Sequence, residues 1–228
     1  MNDVDIEILR VLSSTSESLF ITKKSNIARI NSIDILDEEK DKLLENIIKP
    51  LDEGIKYLQK DIYNILIRIP IYNYFLSNQN GVNLFDSAQL ISILIDIDNF
   101  DNFNHLISYA GFIPYANNYN KKLHKLLLRM GYKLIKVNPK YQFVYENAAQ
   151  RYQKKYPKYT EEHIHNMAKR IVIRKFLKNL YINWKAVDKN FEWGGWMVWD
   201  TDNNGELVKY NIGFDKSYYT FWEKKRGY

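Results

Sequence analysis

Apolar residues along most of the chain recur at spacings of three and four, which places them on one face of successive helices. The pattern predicts a mainly α protein, a helical bundle. Val4, Ile6, Ile8, Leu9 and Leu12 predict a short helix over 3–12, whereas SLFITKKSNIARINSI fits strand or loop. Residues 1–37 therefore stand as an N-terminal segment with no assigned role. A long helix begins near Asp37. Within it Leu44, Ile48, Leu51, Ile55, Leu58, Ile62 and Ile65 alternate spacings of four and three, an a/d seam. Such a seam, in a coiled-coil-like helix over 38–68, serves either a homodimer or a helical hairpin within one chain. Pro50 lies inside it and is expected to kink or break the helix, because it lacks an N–H and clashes with the preceding turn.

Pro70 ends this helix, and the Asn and Gly content of SNQNGVN marks a turn. Asp86 can cap a helix running to about Ile95, DIDNFDN reads as a loop, and 100–110 as another short helix. Further helices are expected at 120–136, 139–155 and 160–185. On the first, Lys122, Lys125, Arg129, Lys133 and Lys136 share one face, and Leu123, Leu126, Leu127, Met130 and Leu134 another. On the last, Arg170, Arg174 and Lys178 form a row with Lys169 and Lys175 beside it. The tail, 188–228, is aromatic and β-prone, and its Asn203–Asn204–Gly205 turn predicts a C-terminal β-hairpin over about 191–214.

Charge sharpens this outline. The net charge of +6 hides a segment, 120–187, with 17 basic and 3 acidic residues, while 81–119 has no basic residue and 4 acidic ones. Segregation of this size points to a polyanionic partner, against the alternative of a solvated helical face balanced elsewhere. There is no Cys, which excludes disulfides and thiolate metal sites. No apolar run is long enough to span a bilayer, and the acidic start lacks the plan of a signal peptide. An intracellular location follows as an expectation.

Motifs for catalysis are sparse. DTDNNG matches the opening of a calcium loop, but Asn211 stands where a bidentate Glu should close it, so a hairpin turn is the better reading. His163 and His165 are two apart, on different sides of a helix, and His105 and His124 stand alone. Asp96, Asp98 and Asp101 read as a helix-capping loop in preference to a magnesium site. No phosphate loop, nucleophile elbow or Cys nucleophile is present. No cofactor and no metal are expected.

Residues 69–114 have the layout of a helix-hairpin-helix module, in which a Gly-containing turn presents backbone N–H groups to a phosphate. Gly81 and Val82 fit that turn, and Asn83 takes the place of its second glycine. Here the chain resembles the C-terminal domain of the bridge-RNA-guided insertion-sequence transposases, the DEDD family with an auxiliary serine. In that family a coiled coil leads into IPGVG, an apolar helix, an acidic loop, an SYAGL-type stretch and two basic helices. The matching elements are Ile69–Pro70, Gly81–Val82, Leu90–Ile95, Phe103, Ser108–Pro114 and Asn120–Leu128, then NPKYQFVYENAAQRY and AKRIVIRKFLKNLY. They cover about residues 40–185, with 69–187 as the domain itself, and SYAGFIP is the most specific of them.

The departures concern catalysis. The family's acids lie in an N-terminal RNase-H-like domain, and only about 40 residues precede the coiled coil here. Its serine lies between the YAGL-type stretch and the basic helix, an interval that is Tyr115-Ala116-Asn117-Asn118-Tyr119 in this chain. A family glycine is replaced by Asp98, which would repel phosphate. The resemblance implies a non-catalytic nucleic-acid-binding protein of a virus or mobile element, binding DNA in preference to RNA, as a homodimer, in the cytoplasm of a prokaryotic host. The alternative is a protein-interaction module, an inhibitor or regulator of a host complex, that kept the fold and lost DNA binding.

Overall fold

The computed structural model describes the backbone of residues 3–114, 117–193, 196–201 and 207–212, and the side chains of 4–114 and 117–187. Among these residues the fold is mainly helical. The chain groups into two compact units, Met1–Ile69 with Leu84–Ile95, and Pro70–Asn83 with Asp96–Tyr228.

The first unit is an antiparallel hairpin of α1 (Asp3–Ser32) and α2 (Asp37–Leu66), with α4 (Leu84–Leu94) packed on it. Ion pairs Asp5–Arg68 and Lys23–Asp52 fix the antiparallel register. Gly54 lies between them, where an added Cβ would meet Leu19 Cδ1 at 3.6 Å. Asp37, Glu38 and Glu39 open α2, where acidic charge complements the helix dipole. Ile48, Ile55, Ile62 and Ile65 of the seam are buried and Leu44, Leu51 and Leu58 half-buried. Their neighbours are α1 and α4 of the same chain. The seam therefore has its partner within the protomer.

Two expectations for this unit are corrected. The stretch Ser18–Ile33 is not strand or loop, because α1 continues through it to Ser32. Its seam runs through Ile6, Leu9, Ser13, Ser16, Lys23 and Ile30 at steps of three, four or multiples of seven. Burial of this face against α2 outweighs the weak local helix propensity of residues such as Ile21 and Thr22, which face solvent. The second correction is at Pro50, where α2 continues unbroken. Pro50 is on the exposed face, so the carbonyl it leaves unpaired, that of Asn46, is on a solvent-facing turn.

The second unit is built around α8 (Glu161–Trp193). Against it pack α3 (Pro70–Tyr74), α5 (Phe103–Tyr109), α6 (Lys121–Val137) and α7 (Pro139–Lys155). Val172, Ile173, Phe176, Leu177 and Leu180 give α8 a fully buried stripe, facing Leu123, Leu127, Met130 and Leu134 of α6 across the same core. Gly131 permits close approach of the two helices: a Cβ there would stand 2.7 Å from Ile173. Three helices begin on asparagine caps. Asn102, Asn120 and Asn138 accept from the backbone N–H of His105, Leu123 and Lys140, and Pro139 then opens α7 with its fixed φ.

Helix α8 extends to Trp193, beyond the expected limit of 185 and into the start of the expected hairpin. After it the backbone holds two strand segments, Trp196–Thr201 and Leu207–Ile212. The turn between them, their side chains and the residues after 212 lie outside the described residues. The calcium-loop match and the hairpin expected over 191–214 fall there with them.

Candidate nucleic-acid interface

The two basic stripes both belong to the second unit. On α6, Lys122, Lys125, Arg129 and Lys136 are exposed and Lys133 is half-buried. On α8, Arg170, Arg174 and Lys178 are exposed, while Lys169 and Lys175 are half-buried. Lys169 lies at the α6–α8 contact, its Cγ 3.6 Å from where a Gly131 Cβ would be. Lys122, Lys125, Lys136, Arg170, Arg174 and Lys178 form no ion pair with any described residue. Both stripes arise because each helix commits one face to the shared core and leaves the cations on the other side.

The Gly81 turn is organised by packing. Gly81 has φ +96°, and a Cβ would lie 3.0 Å from the Lys133 carbonyl carbon and oxygen, so glycine is required on two counts. Val82 N–H donates to the Gln79 carbonyl at 3.0 Å, which closes the turn and spends that donor within it. The Asn138 amide fastens the same turn to the start of α7 by donating to the Asn80 carbonyl at 3.3 Å. Asn83 is exposed at its end.

The SYAGFIP stretch is also explained by its geometry. Phe112 N–H bonds to the Ile107 carbonyl and Gly111 N–H to the Ser108 carbonyl, a Schellman cap on α5. Gly111 takes φ +75° beneath the Tyr119 ring. His124 Nδ1 lies 2.9 Å from the Ala110 carbonyl and its ring stacks on Phe112 at 4.6 Å. Asn120 donates to the Tyr109 hydroxyl at 2.7 Å and caps α6. His124 and Tyr119 thus hold the α5–α6 connection together, and Tyr115 and Ala116 lie outside the described residues.

In the acidic loop, Asp96 accepts from the backbone N–H of Asp98, as the capping reading predicts. Asp98 itself pairs with Lys185 of α8. Burial acts to lower the Lys185 pKa, but the Asp98 hydrogen bond and charge, with Tyr181 and Asp96, raise it on balance. The Asp98 charge is thus partly neutralised inside the unit. Between α7 and α8, the Tyr145 hydroxyl lies 2.8 Å from His165 Nδ1. Burial, reinforced by Lys169 and opposed by Glu162, lowers the His165 pKa, and burial raises that of Tyr145.

One cluster escapes a reading based on basic stripes alone. Around the α7–α8 turn, Tyr152, Tyr156, Tyr159 and His163 bring their rings into a row, with Arg151 and Lys155 over two of them. Its signal is present in YQKKYPKYTEEH, where aromatic residues interleave with lysines at helical spacing. Among the described residues no His, Asp and Glu side chains gather into a group that could hold a metal ion, and no helix is long and apolar enough to cross a membrane. No protein-family model and no curated protein matches the chain.

Proposed function

We infer that the chain is a non-catalytic nucleic-acid-binding protein, taking DNA in preference to RNA, derived from a bridge-RNA-guided transposase C-terminal domain carried by a virus or mobile element in a prokaryotic host. The observation that carries this reading is a set of exposed cations on α6 and α8, Lys122, Lys125, Lys136, Arg170, Arg174 and Lys178, that pair with no described residue, within a segment of 17 basic and 3 acidic residues. Cations that are neither buried nor paired are free to displace counterions from a phosphate backbone, and such contacts carry affinity without sequence readout. The test is a salt series on duplex DNA. Affinity is expected to fall with salt at a log–log slope of about −0.9 per phosphate neutralised. Changing Lys125, Arg129, Arg170 and Arg174 together to Glu should abolish it, and tight binding that survives this change overturns the assignment.

The second reading, a protein-interaction module, is supported by a different feature. Val4, Ile8 and Val11 share the face of α1 opposite its seam and are 59%, 41% and 63% exposed. An exposed apolar face of this kind is one that a second copy or a host protein could cover. A wild-type protein with no salt-dependent affinity for DNA or RNA would shift the function to this face.

A further inference from the structure

We propose that the α7–α8 turn is a stacking platform for the unpaired bases of single-stranded nucleic acid. This rests on the nucleic-acid reading above and adds which form is bound and where its bases sit. Tyr156 and Tyr159 stack nearly parallel, with centroids 4.9 Å apart and an interplanar angle of 11°. Tyr152 extends the row on one side at 6.2 Å and 29°, and His163 closes the other edge-on at 5.0 Å. Tyr159 is 49% exposed, and no hydroxyl of these three tyrosines makes a hydrogen bond to a described residue. The rings are therefore not core tyrosines tethered through their hydroxyls.

Charge identifies the occupant. The Arg151 guanidinium stands 5.1 Å from the Tyr152 ring centre and the Lys155 ammonium 5.3 Å from that of Tyr156, with Lys154 and Lys158 exposed beside them. Glu161 and Glu162, in the first turn of α8, offset only part of this charge. A partly exposed ring row with cations over two of its rings and two more beside them matches a strand whose bases stack on aromatic faces while its phosphates take up the cations. Duplex bases are already stacked on one another and cannot use it. Ring stacking and phosphate contacts are common to both sugars, so both DNA and RNA single strands should fit.

The test uses the full chain with a twelve-nucleotide oligo-dT, the matching oligo-U, and a duplex of equal length, followed by fluorescence anisotropy. Tyr156→Leu with Tyr159→Leu should weaken both single strands by about 5- to 150-fold, the range for losing one stacked base, and leave the duplex unchanged. Tyr156→Phe with Tyr159→Phe keeps the ring faces and should hold affinity within about twofold. As a readout independent of the variants' folding, a 5-iodouracil-substituted oligo-dT irradiated with wild-type protein should crosslink within residues 152–163. Unchanged single-strand affinity in the leucine variant, equal loss on the duplex, or crosslinks confined elsewhere would overturn the platform. Wild-type binding to duplex but to neither single strand would overturn it while sparing the functional reading. Absence of binding to all three probes would remove both.

Discussion

Single glycines carry opposite consequences in this chain, depending on what their missing Cβ would meet. Gly111 combines φ +75° with a Tyr119 ring 2.7 Å from the Cβ position. Replacement by Ala adds left-handed strain to overpacking, so Gly111→Ala should cost about 2–4 kcal/mol and lower Tm by several degrees in a calorimetric scan. Gly54 sits inside α2 with its nearest neighbour, Leu19 Cδ1, at an ordinary 3.6 Å. Gly54→Ala should stabilise by up to ~1 kcal/mol through helix propensity. If both substitutions shift Tm the same way, this account of the two sites is wrong. The special status of Gly111 was partly legible, because an Ala-Gly corner before a proline suggests a helix stop. The clash partners Tyr119 and His124 were not, since only the folded loop brings them to Gly111.

At the scale of elements, α7 and α8 share a titratable contact. His165, beside the Tyr145 hydroxyl, has its pKa lowered by burial first and by Lys169 second. A histidine whose folded pKa lies below its unfolded value, near 6.5, binds fewer protons folded than unfolded in the window beneath that value. Stability should therefore decline as pH falls from about 7 towards 5. His165→Gln should flatten that part of the decline, read as the midpoint of urea unfolding at each pH. A variant with the wild-type slope would show that the histidine does not drive it. The ring row of Tyr152, Tyr156 and Tyr159 runs from the end of α7 into the turn that joins these two helices. Helices α6 and α7 themselves were well placed from sequence, because asparagine caps on both, Pro139 at the start of α7 and the leucine periodicity of α6 mark their limits, whereas α8 runs on past the expected 185 to Trp193.

For the molecule as a whole, the central question of assembly turns on the 44–65 seam. Ile55 and Ile62 are 6% and 0% exposed against the chain's own helices. Burying a charge at either site costs several kcal/mol, so Ile55→Asp with Ile62→Asp should unfold the first unit and not merely separate two chains. Circular dichroism and sedimentation together decide this. Loss of helix content in the double variant, with a wild type that sediments as a monomer at roughly 100 μM, a concentration at which even a micromolar dimer would persist, matches a seam used internally. A well-folded monomeric variant of a dimeric wild type would return the seam to an interface between chains. The charge distribution belongs to this scale too: the +14 segment maps onto the helices of the second unit, and the acidic loop beside them is partly neutralised by Lys185.

Sequence alone determined the helical character, the limits of α6 and α7, and the concentration of basic charge, because these depend on local periodicity, capping chemistry and composition. Tertiary structure decided the rest. The continuation of α1 through Ser18–Ile33 depends on partners in α2 and α4, and its seam was hidden because Ser13, Ser16 and Lys23 occupy positions that apolar residues usually hold. Those serines bond back to the carbonyls of Arg10 and Leu12, and Lys23 pairs with Asp52, so each polar group is satisfied where the pattern expected a hydrocarbon. The tight packing at Gly81 likewise comes from the α6 backbone against it, and the pairing of Asp98 from Lys185, 87 residues away. A periodicity reading weighs each residue against its near neighbours in the chain, whereas burial and ion pairing are decided by neighbours in space.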